Sequence, residues 1–328
     1  MTQDHAAGND GSHPQPRRID THHHIFPPRY MAKERDRILG VAHRLAAQLL
    51  EWTPSKAIEA MDRGGVATAV TSISSPGIWF GDAAASRQLA RECNEFAAQM
   101  VRDHKGRFGV FAALPLPDVD GSLREIEYAL DVLRADGIGL MTNYAQTWPG
   151  DPRFGPVFDE LDRRKAVVYF HPTAADCCTN LLPDIPPATI EFPFDTTRAI
   201  TSLLYSGTLS RCPHIRFIFS HGGGTLPMLA HRLAGLTRVR KDLLERLPNG
   251  VMHEFTKLYY DVVSVASPVP FNAVRQFAGI SQLLYGTDFP YWPADTTASG
   301  LADLGLSPSD LQAIERDNAL ALLPRLKG

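Results

Sequence analysis

Cysteine is scarce. Cys93, Cys177, Cys178 and Cys212 are the whole complement, and with no CxxC pair among them the chain offers no disulfide framework. Charge of one sign is lacking too: 33 Lys and Arg stand against 36 Asp and Glu, for a net charge of −3. Without a basic stripe for phosphate backbones or anionic lipid, nucleic acid and membrane surfaces are poor partners. No apolar run approaches the roughly 18 residues that span a bilayer, and the polar N-terminus carries no signal-peptide core. A cytoplasmic protein is expected. No glycine fingerprint follows the first strand pattern, which removes the signature of a dinucleotide-binding fold.

What is present is an ordinary globular composition, 44% hydrophobic and 21% charged over 328 residues. Residues 1–16, made of Gly, Pro, Asp and His with almost nothing to bury, read as a mobile tail. From there to residue 328 the chain reads as one domain. Short β-branched or aromatic runs recur at 17–26, 67–74, 107–116, 137–144, 166–173, 216–223, 257–264 and 282–290. Amphipathic segments at 55–64, 85–103, 121–135, 152–164, 196–210 and 310–322 alternate with them. Strands alternating with helices imply a parallel sheet with right-handed crossovers. Eight strands over about 270 residues is the count for an α/β fold closed as a (β/α)8 TIM-type barrel. Two stretches break the repeat, 27–54 after the first strand and the Pro-rich 172–195 after the fifth. Both leave the C-terminal end of a strand, where long loops line pockets.

The chemistry-bearing residues gather at those same strand ends. In Asp20-Thr21-His22-His23-His24, strand alternation sends His22 and His24 into the barrel and His23 outward. His171 ends the fifth strand, His221 the sixth and Asp288 the eighth. Taken singly, each has a plain reading: a hydrogen-bonded core histidine, or an aspartate capping a helix. Four metal-ligand types at the C-terminal ends of strands 1, 5, 6 and 8 read instead as a metal site. His22, His24, His171 and Asp288 supply three imidazole nitrogens and one carboxylate, with room for water or substrate. That set suits one divalent ion, Zn²⁺ best, with Mn²⁺, Fe²⁺ or Co²⁺ as alternatives. His221 is then a nearby acid/base, or else a fourth histidine ligand.

The order DxHxH, FHP, SHGGGxxP and GTDFP resembles the amidohydrolase superfamily, and within it the decarboxylase branch of aminocarboxymuconate-semialdehyde decarboxylase. The resemblance runs from about residue 18 to 323 and includes Trp52-Thr53-Pro54, Met61-Asp62-Arg63-Gly64-Gly65-Val66 and Asn318-Ala319-Leu320. It implies a metal-dependent hydrolase-like barrel, with His22, His24, His171 and Asp288 as ligands and His221 as catalytic acid/base. It also implies a homodimer or dimer-based oligomer in which Arg232, eleven residues beyond His221, reaches across the interface to the substrate carboxylate. Two-metal amidohydrolases bridge their ions through a modified lysine at the end of strand 4. Here that strand reads Leu140-Met141-Thr142-Asn143-Tyr144, so the resemblance implies a mononuclear site. Leu45 stands where the muconate enzyme has a second substrate arginine, which points away from a muconate. The motifs at 74–82, 140–144 and 191–200 instead resemble 6-methylsalicylate decarboxylases.

The expected activity is non-oxidative decarboxylation of a small aromatic or unsaturated carboxylic acid. Protonation of the carbon bearing the carboxylate relieves the electron pair left by CO₂. The resemblance implies as proton donor either Asp288, with His221 orienting the phenol or relaying protons, or metal-bound water aided by His221; for a salicylate-type acid Asp288 is the expected donor. The alternative is hydrolysis of a lactone, ester or amide by the same ligands, with His221 as base. Trp79, Phe80, Tyr144, Trp148 and Phe194 are candidate aromatic pocket residues, of which Trp79, Tyr144 and Phe194 are assigned to substrate. Gly222-Gly223-Gly224 lets the backbone pass close to the site and turn.

Overall fold

Eight runs rich in β-branched and aromatic residues form the strands of the computed structural model, which describes residues 17–42, 46–179 and 181–327. They are β1 (Arg18–His24), β2 (Val66–Ser72), β3 (Phe108–Ala113), β4 (Gly137–Met141), β5 (Val167–His171), β6 (Arg216–Phe219), β7 (Tyr259–Asp261) and β8 (Leu283–Leu284). Each falls inside the run that the sequence marked, except that β2 begins one residue before its run. The expected tail at 1–16, and Leu45, lie outside the described residues. The strands are parallel and pair in sequential order. Thr21 N–H donates to the Tyr285 carbonyl at 2.9 Å and His24 N–H to that of Phe289 at 2.9 Å, which brings β8 back onto β1 and closes the barrel.

Side-chain alternation along β5 divides the core. Val167 and Tyr169 face the barrel interior with Ile19, Val70, Phe111, Ile218 and Leu284, while Val168 and Phe170 pack outward under the helices. The Tyr169 and Phe111 rings stack with centroids 5.3 Å apart. Ala319 and Leu322 of the helix Asn318–Leu322 join this inner cluster and close one end of it. Side chains fill the lower barrel, so the C-terminal rim is left for chemistry.

In β1 the alternation is broken, with consequences for the site. Ile19 faces the interior, and strict alternation would send Thr21 and His23 after it. The pairing with β2 shifts between Asp20 and His23, a bulge that turns His22 and His24 inward instead. Asp20, fully buried, anchors this bulge. Its carboxylate accepts from His22 N–H (3.0 Å), Thr287 N–H (3.0 Å), Thr287 O–H (2.6 Å) and His23 Nδ1 (2.9 Å).

Helices cover the barrel, several opened by a side-chain cap: Thr53 for Pro54–Arg63, Asp82 for Ala83–Asp103 and Asp118 for Val119–Glu127. Within 27–54 lie the helices Pro28–Ala42 and Ala46–Leu50. The stretch 172–195 is less open than its prolines suggest. A short 3-10 turn, Asp176–Cys178, is followed by a helix from Pro187 to Tyr205 that begins well before the expected residue 196. Pro187 fits its first turn, where no N–H is needed. Pro193 is accommodated inside it, and its carbonyl still accepts from the Thr197 hydroxyl at 2.9 Å. No helix of the described residues is long and apolar enough to cross a membrane.

Candidate active site

β1, β5 and the turn after β8 bring His22, His24, His171 and Asp288 together, all buried, with one ligand atom from each within 4.8 Å of the others. The Nε2 atoms of His22 and His24 are 3.1 Å apart, and Oδ1 of Asp288 lies 3.2 Å from the first and 3.0 Å from the second. No other such cluster occurs among the described residues, and β4 ends without a lysine or glutamate.

The opposite nitrogen of each ring is already engaged. Nδ1 of His22 meets Asp261 Oδ2 at 2.8 Å, that of His24 the Ser72 hydroxyl and carbonyl at 3.3 and 3.4 Å, and that of His171 the Pro172 carbonyl at 2.9 Å. Carbonyl and carboxylate acceptors place the proton on Nδ1, leaving Nε2 as a lone pair. Three lone pairs and a carboxylate then face one another in a buried space, which is stable only around positive charge. A divalent cation fits this donor set. Burial lowers His24, and burial with its imidazole neighbours holds His171 well below the ordinary histidine value, so both stay neutral as ligands must. Burial would lower His22 as well, but Asp261 and Asp288 outweigh it and raise its pKa to about 10, another sign that positive charge is favoured here.

His221 and Asp288 share a backbone conformation that L-residues rarely adopt, with φ of +55° and +58°. Strain at two neighbouring polar residues marks a functional site. His221 Nε2 stands 3.5 Å from Asp288 Oδ2, on the far side of that carboxylate from His24. Burial alone would raise the Asp288 carboxyl, but the imidazoles of His22, His221 and His24 hold it well below the usual range. The glycines after His221 continue the left-handed path for steric reasons. A Cβ on Gly223 would lie 2.7 Å from the Tyr260 ring, and one on Gly224 2.0 Å from the Pro193 carbonyl oxygen. Asp261, which sequence reasoning passed over, binds both halves of the site. Its Oδ2 faces His22, and its Oδ1 accepts the backbone N–H of His221 at 2.9 Å. Its signal was available, a lone acidic residue inside the run 257–264, where it ends β7.

A cavity of about 690 Å³ opens over this rim, walled by Trp79, Phe80, Met141, Asn143, Tyr144, Thr173 and Phe192 among others. The Phe192 ring packs edge-on against His171 at 6.1 Å. Trp79 and Tyr144 are therefore wall residues. Trp148 is engaged elsewhere, donating from Nε1 to Asp195 at 2.9 Å. Phe194 is 42% exposed and does not line this cavity. Arg232 projects into solvent from the helix Leu226–Leu236.

The amidohydrolase family model matches residues 19–325. This chain belongs to that family. It is 37% identical to the decarboxylase yanB of Aspergillus niger over 94% of this chain and 88% of that one. It is 34% identical to the 6-methylsalicylic acid decarboxylase of Penicillium expansum, over 95% and 97% of the two chains. Among solved structures, a dihydroxybenzoic acid decarboxylase from Polaromonas, holding manganese and the inhibitor 2-nitroresorcinol, superposes with a TM-score of 0.81 over 96% of this chain and 98% of its own; at 20% identity that likeness speaks for the fold.

Proposed function

We propose that this chain, a decarboxylase of the amidohydrolase superfamily, removes the carboxyl group of a salicylate-type acid at a single divalent cation. The observation that carries the reading is the convergence of three imidazole lone pairs and the Asp288 carboxylate beside an aromatic-walled cavity, whose Phe192 ring packs on His171. Near full-length likeness to decarboxylases favours this over hydrolysis of a lactone, ester or amide. His22, His24, His171 and Asp288 would hold the cation. Their donor set suits Zn²⁺, and the manganese of the Polaromonas enzyme makes Mn²⁺ the second candidate. When bound, the cation would hold an oxygen of the acid and lower the energy of the charge that develops as CO₂ departs.

The chain's own residues do the rest. The Trp79, Tyr144 and Phe192 side chains hold the ring and keep water from it. The proton for the ring carbon passes through the pair His221 and Asp288. Asp288, held ionised at rest, delivers it only after His221 has supplied it. A homodimer completes the pocket. Arg232, without an ion-pair partner among the described residues, presents a forked donor that would grip the substrate carboxylate of the neighbouring protomer. Met228, Leu236 and Val239, exposed on and just beyond the same helix, favour a partner there. The free cysteines suit a reducing, cytoplasmic setting.

The test is a panel of hydroxybenzoates, methylsalicylates and unsaturated diacids scored for CO₂ and for the decarboxylated product. Release of both from a salicylate-type acid is expected. A new acid formed from an ester or lactone, with no CO₂ from any panel member, would replace this reading by the hydrolytic one.

A further inference from the structure

Asn143 stands two residues beyond Met141, whose backbone pairs with the ligand His171, and its largely buried side chain forms part of the cavity wall. Its amide nitrogen is fully used. Nδ2 donates to Asp195 Oδ2 at 2.7 Å and to the Thr173 carbonyl at 3.3 Å, one acceptor for each hydrogen. Asp195, completely buried in the helix Pro187–Tyr205, also accepts from the Thr142 hydroxyl and from Trp148 Nε1 at 2.9 Å, with the Arg198 guanidinium 3.7 Å away. Surrounded by donors, it can face only the nitrogen end of the Asn143 amide. This network decides which end of the amide is which. The carbonyl end, Oδ1, receives no hydrogen bond among the described residues and is not sealed from solvent, and the surface that Asn143 presents is cavity wall.

The neighbouring hydroxyl oxygens are already engaged within the wall. The Ser75 and Thr173 hydroxyls bond each other at 3.1 Å, and the Tyr144 oxygen accepts the Met141 N–H at 3.0 Å. Asn143 Oδ1 is thus an acceptor that cannot turn itself into a donor. An O–H group aimed at it gains a hydrogen bond, whereas a methyl ether of the same oxygen brings lone pair against lone pair and leaves a buried polar atom unmet.

We propose that Asn143 Oδ1 reads a free hydroxyl on the aromatic acid, with Asp195 as the positioning residue that fixes the amide, so that the pocket selects phenolic acids over their O-methyl ethers. The proposal rests on the decarboxylase reading for the class of ligand, but its test does not depend on turnover. Hydroxynitrobenzenes carry a nitro group where the acid has its carboxylate, and they cannot lose CO₂. Calorimetry on the metal-loaded protein compares 2-nitroresorcinol and isomeric hydroxynitrobenzenes with their methyl ethers at each ring position. The wild type is expected to favour the hydroxyl form at one position by about tenfold, the worth of one net hydrogen bond. Asn143→Leu, similar in shape but without the acceptor, should bring that ratio close to one with metal content unchanged, and Asn143→Ala repeats the measurement should the leucine variant fold poorly. Asp195→Asn, which frees the amide to turn over, should reduce the ratio while the affinity for the methyl ether, which makes no bond to Oδ1, stays close to wild type. A ratio unaltered in Asn143→Leu or Asn143→Ala overturns the proposal, as does a wild type indifferent to methylation at every position. CO₂ release by the wild type alongside either result would leave the decarboxylase reading standing. Absence of CO₂ from every phenolic acid, with the binding ratio behaving as stated, would remove that reading and keep Asn143 as a hydroxyl acceptor.

Discussion

His22 and His221 share a single carboxylate. Asp261 Oδ2 lies 2.8 Å from the Nδ1 of His22, and Oδ1 of the same group accepts the His221 backbone N–H at 2.9 Å and that of Val263 at 3.1 Å. His22 of the metal site and His221 beside it are thereby held in register by one fully buried side chain. Whatever moves Asp261 disturbs both.

Asp261→Asn should therefore weaken metal binding by about 10–100-fold, because the amide cannot accept from His22 as strongly and the imidazole loses its fixed tautomer. Competition against a chelator of known affinity measures this. An affinity equal to wild type would show that His22 needs no such support.

One divalent ion per chain is expected by elemental analysis. His22→Ala and His171→Ala should each empty the site while the far-ultraviolet circular dichroism stays native, since the ligands sit on the rim and the inner cluster around Tyr169 carries the stability. Two tightly held ions per chain would sink the mononuclear site.

His221→Ala should keep its metal and lose activity by about 10²–10⁴-fold, the usual contribution of a general acid or base. Loss of the ion together with activity would make His221 a ligand instead. The decisive reading is the metal content, taken on the same preparation as the rate.

Gly224→Ala should destabilise the protein by about 1–3 kcal/mol, because the new methyl group meets the Pro193 carbonyl oxygen at a backbone φ of +68°. Gly235→Ala serves as control. It lies in the helix Leu226–Leu236 with nothing within 4 Å of the added carbon, and should leave the melting temperature level or raise it. Equal melting temperatures for the two variants would contradict the steric reading of the HGGG segment.

A mixture of inactive His221→Ala and inactive Arg232→Ala chains should regain activity if Arg232 serves the partner's pocket, because mixed dimers then hold one site with neither defect. No recovery, or a monomer by light scattering, would confine Arg232 to its own chain.

The repeat of eight strands was legible because each run is dense in β-branched and aromatic residues, and the four ligands were legible because they end such runs. Other features carry no one-dimensional signal. The bulge at Asp20 is invisible in a pattern of alternation, which happens to give the same orientation for His22 and His24 by a different route. The early start of the helix Pro187–Tyr205 was masked by prolines that its first turn tolerates and its interior accommodates. Asp195 and Asn143 meet across a separation of 52 residues, so neither the amide nor its clamp can be read from the local sequence. Phe192 and Phe194 are both aromatic and two apart, and only the packing against His171 tells them apart.

The clasp that Asp20 makes with Thr287 joins residues 267 positions apart, and the ligands His24 and Asp288 are separated by 264. During synthesis the first strand leaves the ribosome long before its partner is made, so its histidines wait with no fourth donor. The barrel is a late closure, of the high-contact-order kind that forms slowly. The four-donor site is therefore complete only once the turn after the eighth strand has been made, so metal binding and barrel closure depend on the same last segment of the chain.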